Sequence, residues 1–339
     1  MLLHVAVPGL LWPQDSIAQI TRDLALPALH ALLGRGRHAR RSALPFEYWL
    51  CDVFGVKNEN EEFPIGALRL LGDGGAPGND VWLCADPSHL RFARDTLALD
   101  AAGPDLNAGE AAQLAAALNA HLSDVDDDFG ELFAPHPRRW YLRVKRQPRI
   151  VTQPPSALAG RTLEPFLPRG EDARDWRRFI NETQVLLHNH PVNAAREAAG
   201  RPTANSLWPW GAGVLPSVIS APAAHLHADH PLALGLARRA GMPASCVPAR
   251  AGDAAPRSLI VLDTLDLAAQ SLDATAWRAG AMELEARWFA PMLTALKAGR
   301  LRGLRLTALG DDGIVDIVLN RRDPWRFWRR PRALAGLRA

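Results

Sequence analysis

Four short apolar runs constrain this chain most: LLHVAV (2–7), VWLCAD (81–86), LPSVIS (215–220) and SLIVLDTLD (258–266). Each has the length of a strand and is mostly apolar throughout, without alternation. Turn residues such as Pro8-Gly9 bound them. A strand covered by helices on both faces reads this way. Between them lie segments of helical period, so the chain predicts an α/β fold with a mostly parallel central sheet flanked by helices. Its 339 residues suffice for one large domain or two ordinary ones.

Helical spacing is clearest in six places. Residues 17–34 put Leu26, Leu29, Leu32 and Leu33 on one face, with Pro27 in a first turn and Gly34 as a stop. The fragment 64–72 follows. From Asn107 to Leu122 the pattern opens with Asn107 and Glu110 as a capping box. Around 171–187, Trp176, Phe179, Ile180 and Leu187 form a stripe. Pro231 to Ala240 ends at Gly241, and 273–298 carries Trp277, Leu284, Trp288, Met292 and Leu296. RRWYLRVKR (138–146) instead alternates, with Trp140, Leu142 and Val144 opposite Arg139, Tyr141, Arg143 and Lys145, which predicts a half-buried antiparallel strand. LRGLRLTAL, the turn GDDG and IVDIVLN predict a hairpin. The interval 87–203 is therefore α+β in character. It reads as a subdomain inserted into an α/β core made of 1–86 and 204–339.

Composition narrows the partners. No 18-residue apolar run exists, so nothing is expected to span a membrane. MLLHVAVPGLLWP lacks a charged leader and a small-residue cleavage site, so it reads as a first strand and the expected location is cytoplasmic. Cys51, Cys84 and Cys246 form no CxxC, which disfavours a disulfide framework or zinc ribbon. The net charge is +3, and only Lys57, Lys145 and Lys297 among the 39 basic residues are Lys. That pattern is dispersed arginine bias, so neither nucleic acid nor membrane is expected as a partner. The acidic loop from Asp124 fails as a calcium site, since Phe129 and Pro135 stand where Gly and Glu are needed.

Two stretches gather chemistry. His225-Leu226-His227-Ala228-Asp229-His230 has the HxHxDH spacing of the first ligand run in metallo-β-lactamase-fold hydrolases, where it holds zinc. No His follows His230 to complete such a set, and Asp229 can serve as a helix N-cap instead. Divalent metal is expected only if these residues act as ligands; otherwise no cofactor is. The second stretch, Val185 to Gly213, concentrates His188, His190, Asn193, Arg196, Asn205, Trp208, Trp210, Gly211 and Gly213. No GxSxG, HExxH or GxGxxG motif nominates a nucleophile or nucleotide loop.

TQPPSALAG (152–160), LPRG (167–170), HPVNAARE (190–197) and ANSLWPWGAG (204–213) occur in an order similar to that of archaeal-type cofactor-independent phosphoglycerate mutases. Those enzymes belong to the alkaline-phosphatase-like superfamily. The segments WLCADPSHLR, APHPRRWYLR, NHPVN, NSLWPWGAG, LEARWFAPML and WRFWRRPR resemble the bacterial RpfE-type regulatory proteins along nearly the whole chain. The resemblance implies an alkaline-phosphatase-like core. It also implies a phosphate or carboxylate pocket around Asn193, Arg196 and Asn205, with His188, His190, Trp210, Gly211 and Gly213 nearby. The family's first metal ligand would follow the first strand, where this chain reads Pro8-Gly9-Leu10-Leu11-Trp12 and reaches a carboxylate only at Asp15. Its phosphorylated Ser is missing, as 45–56 has no Ser or Thr. Asp263 and Asp266 remain without imidazole partners. The resemblance thus implies a catalytically degenerate protein with a regulatory or ligand-sensing role. Two readings of Asn193, Arg196 and Asn205 stay open, as ligand contacts or as ties in the connection. A protein partner at the aromatic and basic tail, 323–332, is a further expectation.

Overall fold

The computed structural model describes every residue except 14–15, 59–60, 94–95, 126–128, 159–160 and 338–339. Asp15 and the tip of the acidic loop therefore lie outside the described residues. The strands, in chain order, are β1 (Leu2–Val7), β2 (Arg37–Arg41), β3 (Val81–Ser88), β4 (Leu90–Ala93), β5 (Thr96–Leu99), β6 (Phe129–His136) and β7 (Arg139–Val144). They continue with β8 (Ser206–Gly213), β9 (His225–His227), β10 (Ala244–Ser245), β11 (Ser258–Val261), β12 (Gly303–Gly310) and β13 (Gly313–Asn320). The chain forms two compact units, one of Met1–Trp49 with Ala221–Ala339 and one of Leu50–Ser220.

The first unit holds a seven-stranded sheet in the order β10-β9-β11-β1-β12-β13-β2. Its first five strands run parallel, and β13 and β2 are added antiparallel. Leu3, Val5 and Val7 of β1 and Leu304, Leu306 and Ala308 of β12 point into one core with Leu29, Leu32, Trp277 and Phe289 from helices. The helix Pro27–Arg35 starts against a buried carboxylate: Ala28 and Leu29 donate their amides to Glu285 at 2.7 and 3.0 Å. A negative group there satisfies two orphan donors and the positive end of the dipole. The predicted helix over 273–298 forms with Asp273 as its cap, but it widens into a π turn at Glu285–Phe289. Pro291 has no N–H for the carbonyl four residues back, and the wider turn relieves that clash.

The second unit is built on a four-stranded antiparallel sheet, β6-β7-β3-β8. Helix Ala108–Val125 begins with the predicted capping box, Asn107 and Glu110 each accepting the other's amide. It packs with Trp176, Phe179 and Ile180 of helix Ala173–His188 on the sheet. Pro209 sits within β8 without disrupting it, because β8 is the edge of the sheet.

Four expectations change. Residues 81–86 form a strand, but an antiparallel one in the second unit, so they leave the predicted parallel sheet. Residues 215–220 form no strand, and Val218 is 83% exposed. The units divide at 50 and 220, so β3 and β8 belong to the unit that contains 87–203 and not to the first. Tyr141 is buried rather than solvent-facing, because the second face of β7 is also covered.

Candidate functional site

Parallel α/β sheets present ligands with the loops beyond the carboxyl ends of their strands. In the first unit, the loop after β1 is closed to such use. Gly9 takes φ +73°, and a Cβ there would lie 2.6 Å from the Leu265 carbonyl oxygen. Leu10, Leu11 and Trp12 are all buried. Trp277 donates its indole N–H to the Gly9 carbonyl at 2.8 Å and meets Trp12 edge-on. The position where a metal-binding carboxylate would stand is core.

Asp229 and Asp263 stand two residues beyond the ends of β9 and β11. These line a polar pocket of about 180 Å³ with Thr264, Glu283, Arg287 and Trp288. Burial, helped by the charge of Asp229, pushes the Asp263 carboxyl above its usual range. Asp266 is raised to about 7 by burial and by the charges of Glu47, Asp263 and Asp311, against a hydrogen bond from Gln270. Arg287 is paired with Glu283 at 2.9 Å. Such a cluster can hold or release a proton near neutrality. Its donors are carboxylates without an imidazole, which is not the ligand set of a zinc site. Among the described residues, no group of three or more His, Cys, Asp or Glu is placed to hold a metal ion.

The HxHxDH run is tied down instead. His227 Nε2 accepts the Ala255 amide at 3.0 Å, and its Nδ1 faces the Cys246 carbonyl and the Ser245 hydroxyl. His225 Nε2 lies 2.9 Å from the same hydroxyl, and the two rings are 4.6 Å apart. Asp229 accepts the Val247 amide, and the N-cap of helix Pro231–Arg239 is His230 rather than Asp229. Pro231, lacking an amide proton, supplies the helix start and lessens the need for a side-chain cap.

In the second unit, the residues expected around a phosphate are brought together, but their polar atoms are already used. Asn193 donates to the carbonyls of Leu187 and Ala204 at 2.7 and 2.8 Å and accepts the Ala204 amide at 3.0 Å. Asn205 exchanges two bonds with the Leu90 backbone, at 2.7 and 2.8 Å, as a strand residue would. Arg196, 2% exposed, donates to the Pro202 carbonyl and to the carboxylates of Glu110 and Asp105. Gly211 and Gly213 admit a helix, not a ligand: a Cβ on either would lie within 2.8 Å of Ile65 or Pro64. His190 caps helix Pro191–Ala198 by accepting the Val192 amide, and His188 is exposed. What stays open is a depression of about 340 Å³ lined by His89, His188, Glu197, Arg201 and Thr203, with Asn193 and Asn205 as its wall. His89 faces the Thr203 carbonyl through Nδ1 at 2.8 Å.

Sequence reasoning missed the buried centre of this unit. Arg69, on helix Ile65–Gly72, forks onto Asp86 at 2.8 and 2.6 Å and lies between the rings of Tyr141 and Trp210, 4.8 and 5.3 Å from their centroids. Burial alone would favour loss of its proton, but Asp86 beside it holds the guanidinium firmly charged. Trp210 donates at 3.1 Å to Asp86 Oδ2, the oxygen that Arg69 Nη1 also reaches, which accounts for that Trp. Tyr141 and Arg139 both donate to Asp73, and these bonds outweigh burial and hold its carboxyl below the usual range. Glu62 accepts both the amide and the hydroxyl of Thr152. Burial nonetheless lifts its carboxyl to about 7. A single Arg among four apolar neighbours was the only local signal.

No family model matches the chain. The 2,3-bisphosphoglycerate-independent phosphoglycerate mutase of Methanosarcina mazei is 40% identical over 63 residues, covering 19% of this chain and 16% of that enzyme. Mutase 2 of the same kind from Methanothermobacter thermautotrophicus is 31% identical over 122 residues, 34% of this chain and 29% of that enzyme. The chain thus spans less than a third of the length of these relatives. The PH0037 protein from Pyrococcus horikoshii superposes over 99% of this chain and 92% of its own, with a TM-score of 0.53 at 15% identity. The class these data define is a mixed α/β fold with a central sheet flanked by helices. The chain resembles the cofactor-independent phosphoglycerate mutases of archaea and bacteria. No helix among the described residues is long and apolar enough to cross a membrane.

Proposed function

We propose that this is a phosphoglycerate-mutase-like protein that has lost phosphoryl transfer and keeps a regulatory, ligand-sensing role in the cytoplasm, as the RpfE-type resemblance of its segments implies. The observation that carries this is the loop after β1: Leu10, Leu11 and Trp12 fill the core where the family's chemistry needs a carboxylate. A protein that has lost the family's nucleophile and metal ligands has no groups to perform the steps that lower a phosphoryl-transfer barrier. The ligand is a small phosphorylated or carboxylated molecule, held in the depression beside His89, His188 and Arg201. Arg196 orders the wall behind it.

The test has two arms. Protein loaded with Mn²⁺, Mg²⁺ or Zn²⁺ should turn over no 3-phosphoglycerate; robust turnover ends the reading. In thermal shift, 3-phosphoglycerate should stabilise the protein, by about 2.7 kcal/mol at a hundredfold excess over Kd, and His188→Ala should abolish the shift. Two other readings have an observation each. The proximity of His225 and His227 favours a metal-dependent hydrolase or phosphotransferase. Metal content near zero in untagged protein, unchanged by the His225→Ala/His227→Ala variant, removes it. Trp325, Phe327 and Trp328, each more than 60% exposed, favour a protein-interaction surface. Unaltered partner binding after their replacement by Ser removes that one.

A further inference from the structure

The opposite edge of the first unit's sheet has the opposite chemistry. His4 of β1 and Arg305 of β12 are register partners, and Val318 of β13 pairs with Arg305. Their neighbours Leu3, Val5, Leu304 and Leu306 point into the helix-covered core. By the two-residue period of a strand, His4, Arg305 and Thr307 therefore share the other face. Thr307 gives its one hydroxyl proton to Asp316 at 2.5 Å, so it accepts from His4 Nε2, 2.8 Å away. Burial, and then Arg305 and Arg41, outweigh the charge of Asp316 and keep His4 neutral, its imidazolium pKa lowered to about 4. This chain of bonds fixes the sheet surface beside a pocket of about 650 Å³ at the amino ends of the parallel strands.

The pocket joins an aliphatic floor, formed by Leu2, Pro222 and Val318, to two cationic side chains, Arg257 and Arg305. Both arginines are exposed, and among the described residues neither makes an ion pair. Arg257 adopts φ +57°, a left-handed conformation that few side chains accept. Two backbone bonds hold it there: its amide donates to the Leu2 carbonyl, and its own carbonyl accepts the Ala224 amide. Strained residues persist where surrounding structure over-determines them, and they gather at ligand sites. A guanidinium presents planar, paired donors that match a phosphate or carboxylate.

From this geometry we infer that the pocket at the amino edge of the sheet binds a small organic anion. Its phosphate or carboxylate head meets Arg257 and Arg305, and its aliphatic body lies on Leu2, Pro222 and Val318. Apart from the imidazole of His4, which is tied to Thr307, the uncharged lining is mostly aliphatic, which favours an alkyl body over a ring. The site is separate from the carboxylates beyond β9 and β11, and separate from the depression beside His188.

Titration calorimetry with hexyl phosphate, hexanoate, inorganic phosphate and hexanol tests it. One of the two alkyl anions should bind one-to-one, and which of them does identifies the head group. Inorganic phosphate and hexanol should each bind about tenfold more weakly, since each lacks one half of the match. Arg257→Gln and Arg305→Gln alter exposed side chains, so the fold should be retained, with thermal transitions checking this. Each should weaken binding about tenfold, and the double variant should abolish it, while His188→Ala leaves it unchanged. The inference is overturned if neither alkyl anion saturates the protein or if the double variant binds as the parent does. Inorganic phosphate binding as tightly as hexyl phosphate would overturn it too.

Discussion

The two units treat buried carboxylates in opposite ways. In the second, Asp86 and Asp73 each face an arginine, and further donors from Trp210, Trp140 and Tyr141 complete them. In the first, Asp263 and Asp266 face other acids, and their carboxyls are pushed upward. A buried charge with its counter-charge in place is an architectural element. Like charges gathered at the carboxyl edge of a parallel sheet are a proton-holding cluster in search of a partner. The difference explains why the polar stretch 185–213, the most eye-catching in the chain, is mainly construction, whereas the plainer ends of β9 and β11 keep chemistry open.

The comparison can be broken most forcefully at Arg69. Arg69→Met should destabilise the protein by about 3–5 kcal/mol, because it strands Asp86 without its counter-charge in a dry interior. Urea unfolding followed by Trp fluorescence measures this. Adding Asp86→Leu should recover much of the loss, since an apolar pair of similar volume replaces a buried ion pair at little cost. If Arg69→Met alone costs less than about 1 kcal/mol, the network is solvated and the contrast between the units fails.

Asn193 sharpens the same contrast. Asn193→Ala removes three hydrogen bonds and leaves the Leu187 and Ala204 backbone groups buried without partners. The expected loss is about 2–3 kcal/mol. A ligand contact would behave differently, losing binding with little change in stability. An unchanged unfolding midpoint would restore Asn193 to the ligand reading.

How far was this legible beforehand? Local signals carried well. Asn107 and Glu110 announced a capping box, the GDDG turn announced the β12–β13 hairpin, and LLHVAV and SLIV announced β1 and β11. Pairing did not carry. VWLCAD is apolar on both faces whether its neighbours run parallel or antiparallel, and only contacts with β7 and β8, more than fifty residues away, decide. At 215–220 the apolar residues had no sheet to join. In the candidate sites, residue types were readable without geometry, as in the lack of Ser and Thr from 45–56. The occupation of Arg196 was not, because Asp105 and Glu110 reach it from over eighty residues away. Arg69 had only its apolar neighbours as a local mark, and Asp86, Tyr141 and Trp210, which hold it, come from other elements.

Asp266 gives the effect of opposite sign. Its folded carboxyl keeps a proton up to about pH 7, whereas an unfolded Asp loses it near 4. The folded state is therefore penalised as pH rises from about 4 to about 7, and the full penalty stands above that. Asp266→Asn should raise stability by about 2 kcal/mol near pH 8, less than the full shift implies because water reaches part of the side chain, with no gain near pH 4. Glu62, also raised to about 7, adds a similar slope from the second unit, so Asp266→Asn should reduce the pH dependence without abolishing it.

The smallest effect expected is at His225. Its imidazole hydrogen-bonds the Ser245 hydroxyl at the surface and otherwise meets the His227 ring, so His225→Ala should shift the unfolding free energy by no more than about 0.5 kcal/mol. His227→Ala should cost roughly 1–2 kcal/mol, since it leaves the Ala255 amide without its acceptor. A metal held jointly by both rings would make the two losses similar and make both depend on added zinc. Unequal, zinc-independent losses instead assign the pair to the joint between β9 and the 244–255 segment. The carboxylates beyond β9 and β11 would then carry whatever chemistry remains at that edge of the sheet.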